Sequence, residues 1–291
     1  MTYILTVIAQ REATSLTPAL INQIRNAVHG APPMILSPGE AADIPLAAPP
    51  DPAVLTEVLH GQPIDAITVK PRGRRKALLV ADMDSTMIQG ETLDELAGLA
   101  GIGAWVAAIT ARAMNGELEF KAALRERVAM LKGLPLDALE RTWKRVRLTP
   151  GARELVATMR ARGALTALVS GGFSYFTGKV AAELGFQSHR ANTLLDDGAA
   201  LTGGVAEPIL DRDSKLAALH ELAAQRGVKL SATLAVGDGA NDLDMLLAAG
   251  LGVAFHAKPI VARAARAKVD HAGLRALLFA QGYPASAFVT E

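Results

Sequence analysis

Four short stretches concentrate the residues of this chain that can do chemistry. In chain order they are "DMDST" (82–86), "SGG" (170–172), "DSK" (213–215) and "GDGAND" (237–242). In the first, Asp82 and Asp84 directly follow the apolar run "LLVA". Two carboxylates this close repel, which favours a divalent cation nearby or a retained proton. A set of oxygen ligands without His or Cys suits Mg2+, which takes a few carboxylates and keeps water or phosphate oxygens for the rest. Asp238 is the natural further ligand. Read alone, "DMDST" fits an Asp/Ser/Thr-rich turn capping the next helix almost as well.

The remaining stretches supply complementary groups. Ser170, Gly171 and Gly172 lie between a buried strand and a helix, where a hydroxyl, backbone N–H groups and the helix dipole all favour an anion. An ordinary tight turn has the same composition. Lys215 falls at a helix start, where acids are favoured and a cation is not; an exposed surface lysine is the alternative. Asp238, Asn241, Asp242 and Asp244 crowd into "GDGANDLD". Helix capping explains one or two of these polar groups but not four directly after a buried strand. Together the parts specify phosphoryl transfer. One carboxylate attacks phosphorus and a second moves the proton. An anion cradle, a lysine and a cation neutralise the transferring group.

These groups need a scaffold that brings them together. Four apolar runs, 77–81, 164–169, 232–236 and 251–255, alternate with helical stretches at 154–162, 175–184, 215–225 and 242–249. Such alternation predicts a parallel sheet covered on both faces by helices. Ligands of such sheets bind at the carboxyl ends of the strands, where the polar stretches lie. Residues 93–148 carry no strand pattern and read as a helical cap inserted after the first core strand. Residues 191–211, with Asp-Gly and Gly-Gly, read as a hairpin.

The N-terminal part differs. A strand (3–9) and a helix (17–29) precede a proline-dense stretch at 31–53, which reads as loop, and then a short helix (53–59) and a strand (64–69). The basic run "KPRGRRK" (70–76) reads as a solvated linker. The expected division is a small α+β domain over 1–74 and the parallel-sheet domain over 75–291, with the cap at about 93–148.

With 291 residues, half of them hydrophobic, and a net charge of +1, the chain reads as globular, with no general pull toward nucleic acid or membrane. No segment reaches the ~20 apolar residues of a membrane helix, and the start lacks the basic region of a signal peptide. The absence of cysteine excludes disulfides and thiolate chemistry and fits a reducing cytoplasm.

The four motifs, in this order and spacing, resemble those of the haloacid dehalogenase superfamily and, more narrowly, of the phosphoserine phosphatases. The likeness covers roughly residues 77–275. It implies a Rossmann-like α/β core with a helical cap. It implies Asp82 as a nucleophile phosphorylated in each turnover and Asp84 as general acid/base. It places Mg2+ on Asp82, Asp238 and the main-chain carbonyl of Asp84, with Asp242 in support. Ser170, the Gly171 amide and Lys215 would hold the phosphoryl group. Glu91 would meet the substrate ammonium and Arg127 its carboxylate, with Asn241 touching the substrate and Phe120 and Met114 shielding the site. The bland alternatives are a capping acid at Glu91 and a surface arginine at Arg127. Arg125 lies on a helix face turned about 200° away, so both arginines cannot point inward.

The activity implied is hydrolysis of O-phospho-L-serine, the last step of serine biosynthesis. Phosphohomoserine or phosphothreonine are alternative substrates. A non-catalytic binding module is disfavoured because Asp82, Asp84, Lys215 and Asp238 are all present. Longer members of the family often carry a small regulatory domain at the N-terminus. The pattern here is compatible with a degenerate ACT-like unit, shorter than a full one, with a regulatory role or, at least as well, packing or dimer formation, in a monomer or homodimer.

Overall fold

The computed structural model describes residues 2–11, 16–114 and 118–290. The chain begins with β1 (Tyr3–Ala9), α1 (Pro18–Ala27), β2 (Met34–Ser37), β3 (Ala41–Leu46), α2 (Pro52–Val58) and β4 (Ile64–Val69). These strands form an antiparallel sheet in the order β2-β3-β1-β4. This is the β-α-β-β-α-β arrangement of the ferredoxin-like motif. Thr17 caps α1 by accepting the Leu20 N–H, Pro18 fixes its first turn, and Ile21 and Ile24 face the sheet. The proline-dense stretch expected to be loop therefore contains two strands. Pro45 is tolerated because β2 pairs with β3 only from Ala41 to Asp43, leaving Pro45 beyond that ladder.

The second sheet starts at β5 (Leu78–Ala81). The chain then passes through β6 (Ile88–Gln89), helices α3 (Thr92–Leu99), α4 (Gly103–Met114), α5 (Phe120–Ala129) and α6 (Asp137–Trp143), and returns by β7 (Arg147–Leu148). β6 pairs with β7, so a two-stranded stem carries the helical cap. There follow α7 (Ala152–Ala161), β8 (Leu165–Phe173), α8 (Ser174–Leu184), β9 (Ser188–Asn192) and the hairpin β10 (Leu194–Asp196) and β11 (Leu201–Val205). The hairpin packs on the cap, where the Gly133 N–H donates to Leu201 O and the Leu201 N–H to Leu134 O. The chain continues with α9 (Arg212–Arg226), β12 (Thr233–Gly237), α10 (Leu243–Ala248), β13 (Leu251–Phe255), α11 (Pro259–Ala264), β14 (Ala267–Val269) and α12 (Ala276–Ala280).

The second sheet is six-stranded and parallel, in the order β14-β13-β12-β5-β8-β9. Alternate residues of β5 feed two cores. Leu79 and Ala81 pack with Leu155, Phe176 and Phe279, and Leu78 and Val80 with Leu219, Leu222 and Met245. From β5 the chain builds outward through β8 and β9, then crosses to β12 on the other side. That reversal at β5 is the point where parallel sheets open a crevice.

The basic run between the sheets is solvated only in part: residues 70–73 and Arg75 are exposed as expected, while Arg74 and Lys76 are half-buried and bonded to the fold. Arg74 donates to both carboxylate oxygens of Asp43, to the Thr6 hydroxyl, and to the carbonyls of Phe279 and Ala280. Arg75 stacks on the Tyr283 ring, and Lys76 donates to the carbonyls of Gly73 and Ser231. Asp65 of β4 accepts the N–H groups of Asp270, His271 and Ala272, while Arg275 bridges Glu40 and Glu154. Helix α12 is wholly buried along this seam. Among the described residues, no helix is long and apolar enough to cross a membrane.

Candidate active site

The strands that end in the four motifs are neighbours: β5 lies between β12 and β8. Asp82 directly follows β5, its N–H bonded to Val236 O of β12. The turn 83–87 then tightens at Ser85, which adopts φ 54°, a left-handed conformation. A non-glycine residue there costs about 1–2 kcal/mol. The turn is held by the Ser85 N–H on Gly90 O at 2.9 Å. Asp84 is buried, with Oδ1 accepting the Thr92 N–H at 2.8 Å.

Lys215 lies on the first turn of α9, whose capping box is made by Asp211 and Ser214. Its ammonium is fully buried, 2.6 Å from Asp242 Oδ1 and 2.8 Å from Asp82 Oδ1. The surface-lysine alternative is thereby excluded. Both contacts are buried ion pairs, so one ammonium bridges the two carboxylates. Asp242 also accepts the Gly239 N–H at 3.1 Å, and the Thr86 hydroxyl donates to Asp238 Oδ1 at 3.3 Å.

Carboxylate oxygens of Asp82, Asp238 and Asp242 lie within 4.8 Å of one another. Burial, then the charges of Asp82 and Asp242, push Asp238 up to about 8. Burial, then Glu91 and Asp82, push Asp84 up to about 7. Asp242 rises to about 6 through burial and Asp82, with Lys215 opposing. Burial alone would lower the pKa of Lys215, but Asp242 and Asp82 outweigh it and raise it. Lys215 pairs with Asp82 and Asp242 and not with Asp238, so the three buried acids outnumber the ammonium beside them. Such a donor set fits a hard divalent cation.

The cradle lies at the end of β8, which runs on to Phe173 rather than stopping at 169. The Ser170 hydroxyl accepts the Gly172 N–H at 2.9 Å. Gly172 has to be glycine, since a Cβ there would stand 2.6 Å from Asp84 Oδ2. Gly237 is equally constrained, with Asp242 Cγ 2.3 Å from the Cβ position. Above Gly171, Phe120 of the cap and Asn241 converge, 3.4 and 3.7 Å from where its Cβ would be. The cap therefore closes on the sheet edge.

Glu91 occupies the N-cap position of α3 but makes no capping bond; its Oε1 instead accepts from the Ser85 hydroxyl at 2.7 Å. Arg127 is half-buried, donating to Ala123 O and Thr110 Oγ1. Burial lowers its pKa, while Asp94 and Glu91 act in the opposite sense. Arg125 points elsewhere, pairing with Glu207 at 2.6 Å on the surface. The side chain of Met114 lies outside the described residues. Sequence reasoning did not assign Thr86, the Thr92 amide or Asn192. Thr86 stood inside a quoted motif, whereas a backbone amide and a distant asparagine carry no local signal.

A sequence model described as haloacid dehalogenase-like hydrolase matches residues 79–247. The chain belongs to this family. Over 208 residues it is 46% identical to a phosphoserine phosphatase of Archaeoglobus fulgidus, covering 70% of this chain and 60% of that relative's length. The crystal structure of a probable phosphoserine phosphatase from Vibrio cholerae superposes with a TM-score of 0.81 at 35% identity, covering 98% of this chain and 88% of that one. A phosphoserine phosphatase solved as a phospho-aspartyl intermediate analogue matches at TM-score 0.66 and 41% identity, over 70% of this chain and 98% of its own. Within the haloacid dehalogenase-like hydrolases, the neighbours therefore include one trapped at the analogue of an acylphosphate.

Proposed function

We infer that this chain is a phosphoserine phosphatase, hydrolysing O-phospho-L-serine to L-serine and phosphate through an aspartyl-phosphate. The observation that carries the reading is the meeting of Asp82, Lys215, Asp242 and Asp238 on adjacent strand ends beside the Ser170–Gly172 turn. The amino acid part of the substrate has counterparts in Glu91 for its ammonium and Arg127 for its carboxylate. Names of the relatives support the same substrate.

In the first half-reaction the Asp82 carboxylate attacks phosphorus and the bond to the serine oxygen breaks. Asp84, raised to about 7, carries a proton near neutral pH and gives it to that oxygen. In the second, the Asp84 carboxylate takes a proton from water. The resulting nucleophile attacks the acylphosphate, releasing phosphate and restoring Asp82. Lys215, the Ser170 hydroxyl and the Gly171 amide hold the phosphoryl oxygens throughout. Asp82, Asp238 and the Asp84 carbonyl, with Asp242 behind them, would hold Mg2+, which when bound supplies positive charge beside those oxygens. Phe120 and Asn241 close over the substrate. We read residues 1–74 as a packing domain, given how Arg74, Glu40 and Asp65 fasten it to the core.

Phosphate release from a panel of phosphorylated amino acids, with Mg2+ and with chelator, tests the reading. Phosphoserine should give the highest kcat/KM, with phosphothreonine and phosphohomoserine well below, and chelator should abolish turnover. Asp82→Asn should lower kcat by ~10⁴ or more, as loss of a nucleophile does. Undiminished turnover by that variant would end the aspartyl-phosphate scheme.

A further inference from the structure

The anion cradle is built where β8 leaves its ladder. Pairing with β9 skips from Val169–Arg190 to Phe173–Asn192, so Ser170, Gly171 and Gly172 bulge out of the sheet. A bulge frees backbone groups for other work, but it also frees them to rotate. One peptide unit in this bulge is held at both ends. Its N–H, on Gly172, donates to the Ser170 hydroxyl at 2.9 Å. Its carbonyl, on Gly171, accepts from Asn192 Nδ2 at 2.8 Å. Asn192 is buried at the end of β9, and its Oδ1 accepts the Leu210 N–H at 2.8 Å. Leu210 directly precedes Asp211, the cap of the helix that carries Lys215.

We propose that Asn192 is a positioning residue for phosphoryl binding, orienting the Gly171–Gly172 peptide and tying it to the start of α9. Three consequences follow from the geometry. With the carbonyl pinned, the Gly172 N–H stays on the Ser170 oxygen. A serine has a single proton to donate, and with its oxygen already accepting, that proton is free to point at an anion. The cradle and Lys215 are also fixed relative to each other by the two ends of one buried amide. No other side-chain type of this shape offers a donor toward Gly171 and an acceptor toward Leu210 together.

The inference rests on the reading of this edge as a phosphoryl site. Its test uses the full chain with Asn192→Asp and Asn192→Leu, comparing kcat and KM for phosphoserine, the inhibition constant of inorganic phosphate, and thermal unfolding. Asn192→Asp keeps the shape and the Leu210 contact but sets an acceptor against the Gly171 carbonyl. It should weaken inorganic phosphate by about tenfold or more, the size of one lost buried hydrogen bond, and lower kcat of the folded fraction, alongside the fall in melting temperature that an unpaired buried carboxylate brings. Its deficit should shrink toward low pH, where a protonated carboxyl can donate to Gly171 O. Asn192→Leu should show the same loss at every pH. If that variant does not fold, Asn192→Asp decides alone. Wild-type phosphate affinity and kcat in Asn192→Asp, or a lower melting temperature as the only change, would overturn the proposal while leaving the phosphatase reading intact. If the wild-type chain neither turns over phosphoserine nor binds inorganic phosphate, both fall together.

Discussion

At the seam between the two sheets, Asp43 receives two Arg74 N–H groups and the Thr6 hydroxyl, Glu40 receives Arg275 and Ser37, and Asp65 receives three backbone amides. At the carboxyl edge of the parallel sheet, Lys215 pairs with Asp82 and Asp242, the Thr92 and Gly239 amides reach Asp84 and Asp242, and Asp238 has the Thr86 hydroxyl. Both regions bury acids, yet only the first supplies each with donors enough. Buried charge that is fully paired holds pieces together, and breaking it is costly. Burial raises the pKa of Asp65 at the seam as well, but at the edge neighbouring carboxylates add to burial and push Asp84 and Asp238 up to about 7 and 8. The contrast separates a fastening from a reactive site without reference to any motif.

The largest effect that would break this contrast is at the seam. Arg74→Met leaves Asp43 buried without its partner and should cost ~3–5 kcal/mol of stability. Urea unfolding reads that loss, while kcat of the folded fraction should stay at the wild-type value. A cost below about 1 kcal/mol would mean that the seam is not a fastening. A smaller effect, because Thr92 and Lys258 offset part of the rise at Asp84 and Asp238, concerns pH. Asp84 and Asp238 keep protons to about 7 and 8 when folded, whereas an unfolded aspartate loses its proton near 4. Between those limits the folded chain binds more protons, so the stability of the metal-free protein falls as pH rises from about 4 toward 8. Melting temperatures across that range should decline, and Mg2+ added at pH 8 should restore them. A flat profile, or indifference to Mg2+, would remove the unpaired character of the edge. Smallest is Arg127→Ala, which should raise KM for phosphoserine about 10–100-fold, the worth of a charged hydrogen bond. An aryl phosphate, having no carboxylate to meet, should be spared. Equal losses on both substrates would sink the role of Arg127.

The parallel sheet was legible because each strand is a short apolar run and each ends in residues that a core does not want. Asp82, Ser170 and Asp238 announce themselves by standing where burial begins to cost. Lys215 was legible only in company, since one lysine on a helix start says little until its carboxylate partners are known. The strands at Met34–Ser37 and Ala41–Leu46 were hidden by the prolines around them. Proline marks a chain that cannot be central on both sides, but not one that pairs on one side only. Arg74 was hidden because its partners lie far away in sequence, at Asp43 and at the carbonyls of α12. A local pattern registers charge and period; it does not register a contact across the whole fold. The same reason hides Asn192, whose two bonds reach Gly171 and Leu210.

The reach of Arg74 also sets an order of events during synthesis. Its acceptors on Phe279 and Ala280 lie 205 and 206 positions further along the chain. At 5–20 residues per second, roughly 10–40 s pass between the making of the arginine and the making of those carbonyls. Through that interval the N-terminal sheet carries a guanidinium with only part of its partners. The cap and the parallel sheet are translated before the seam can close, so the first residues made are among the last to find their final neighbours.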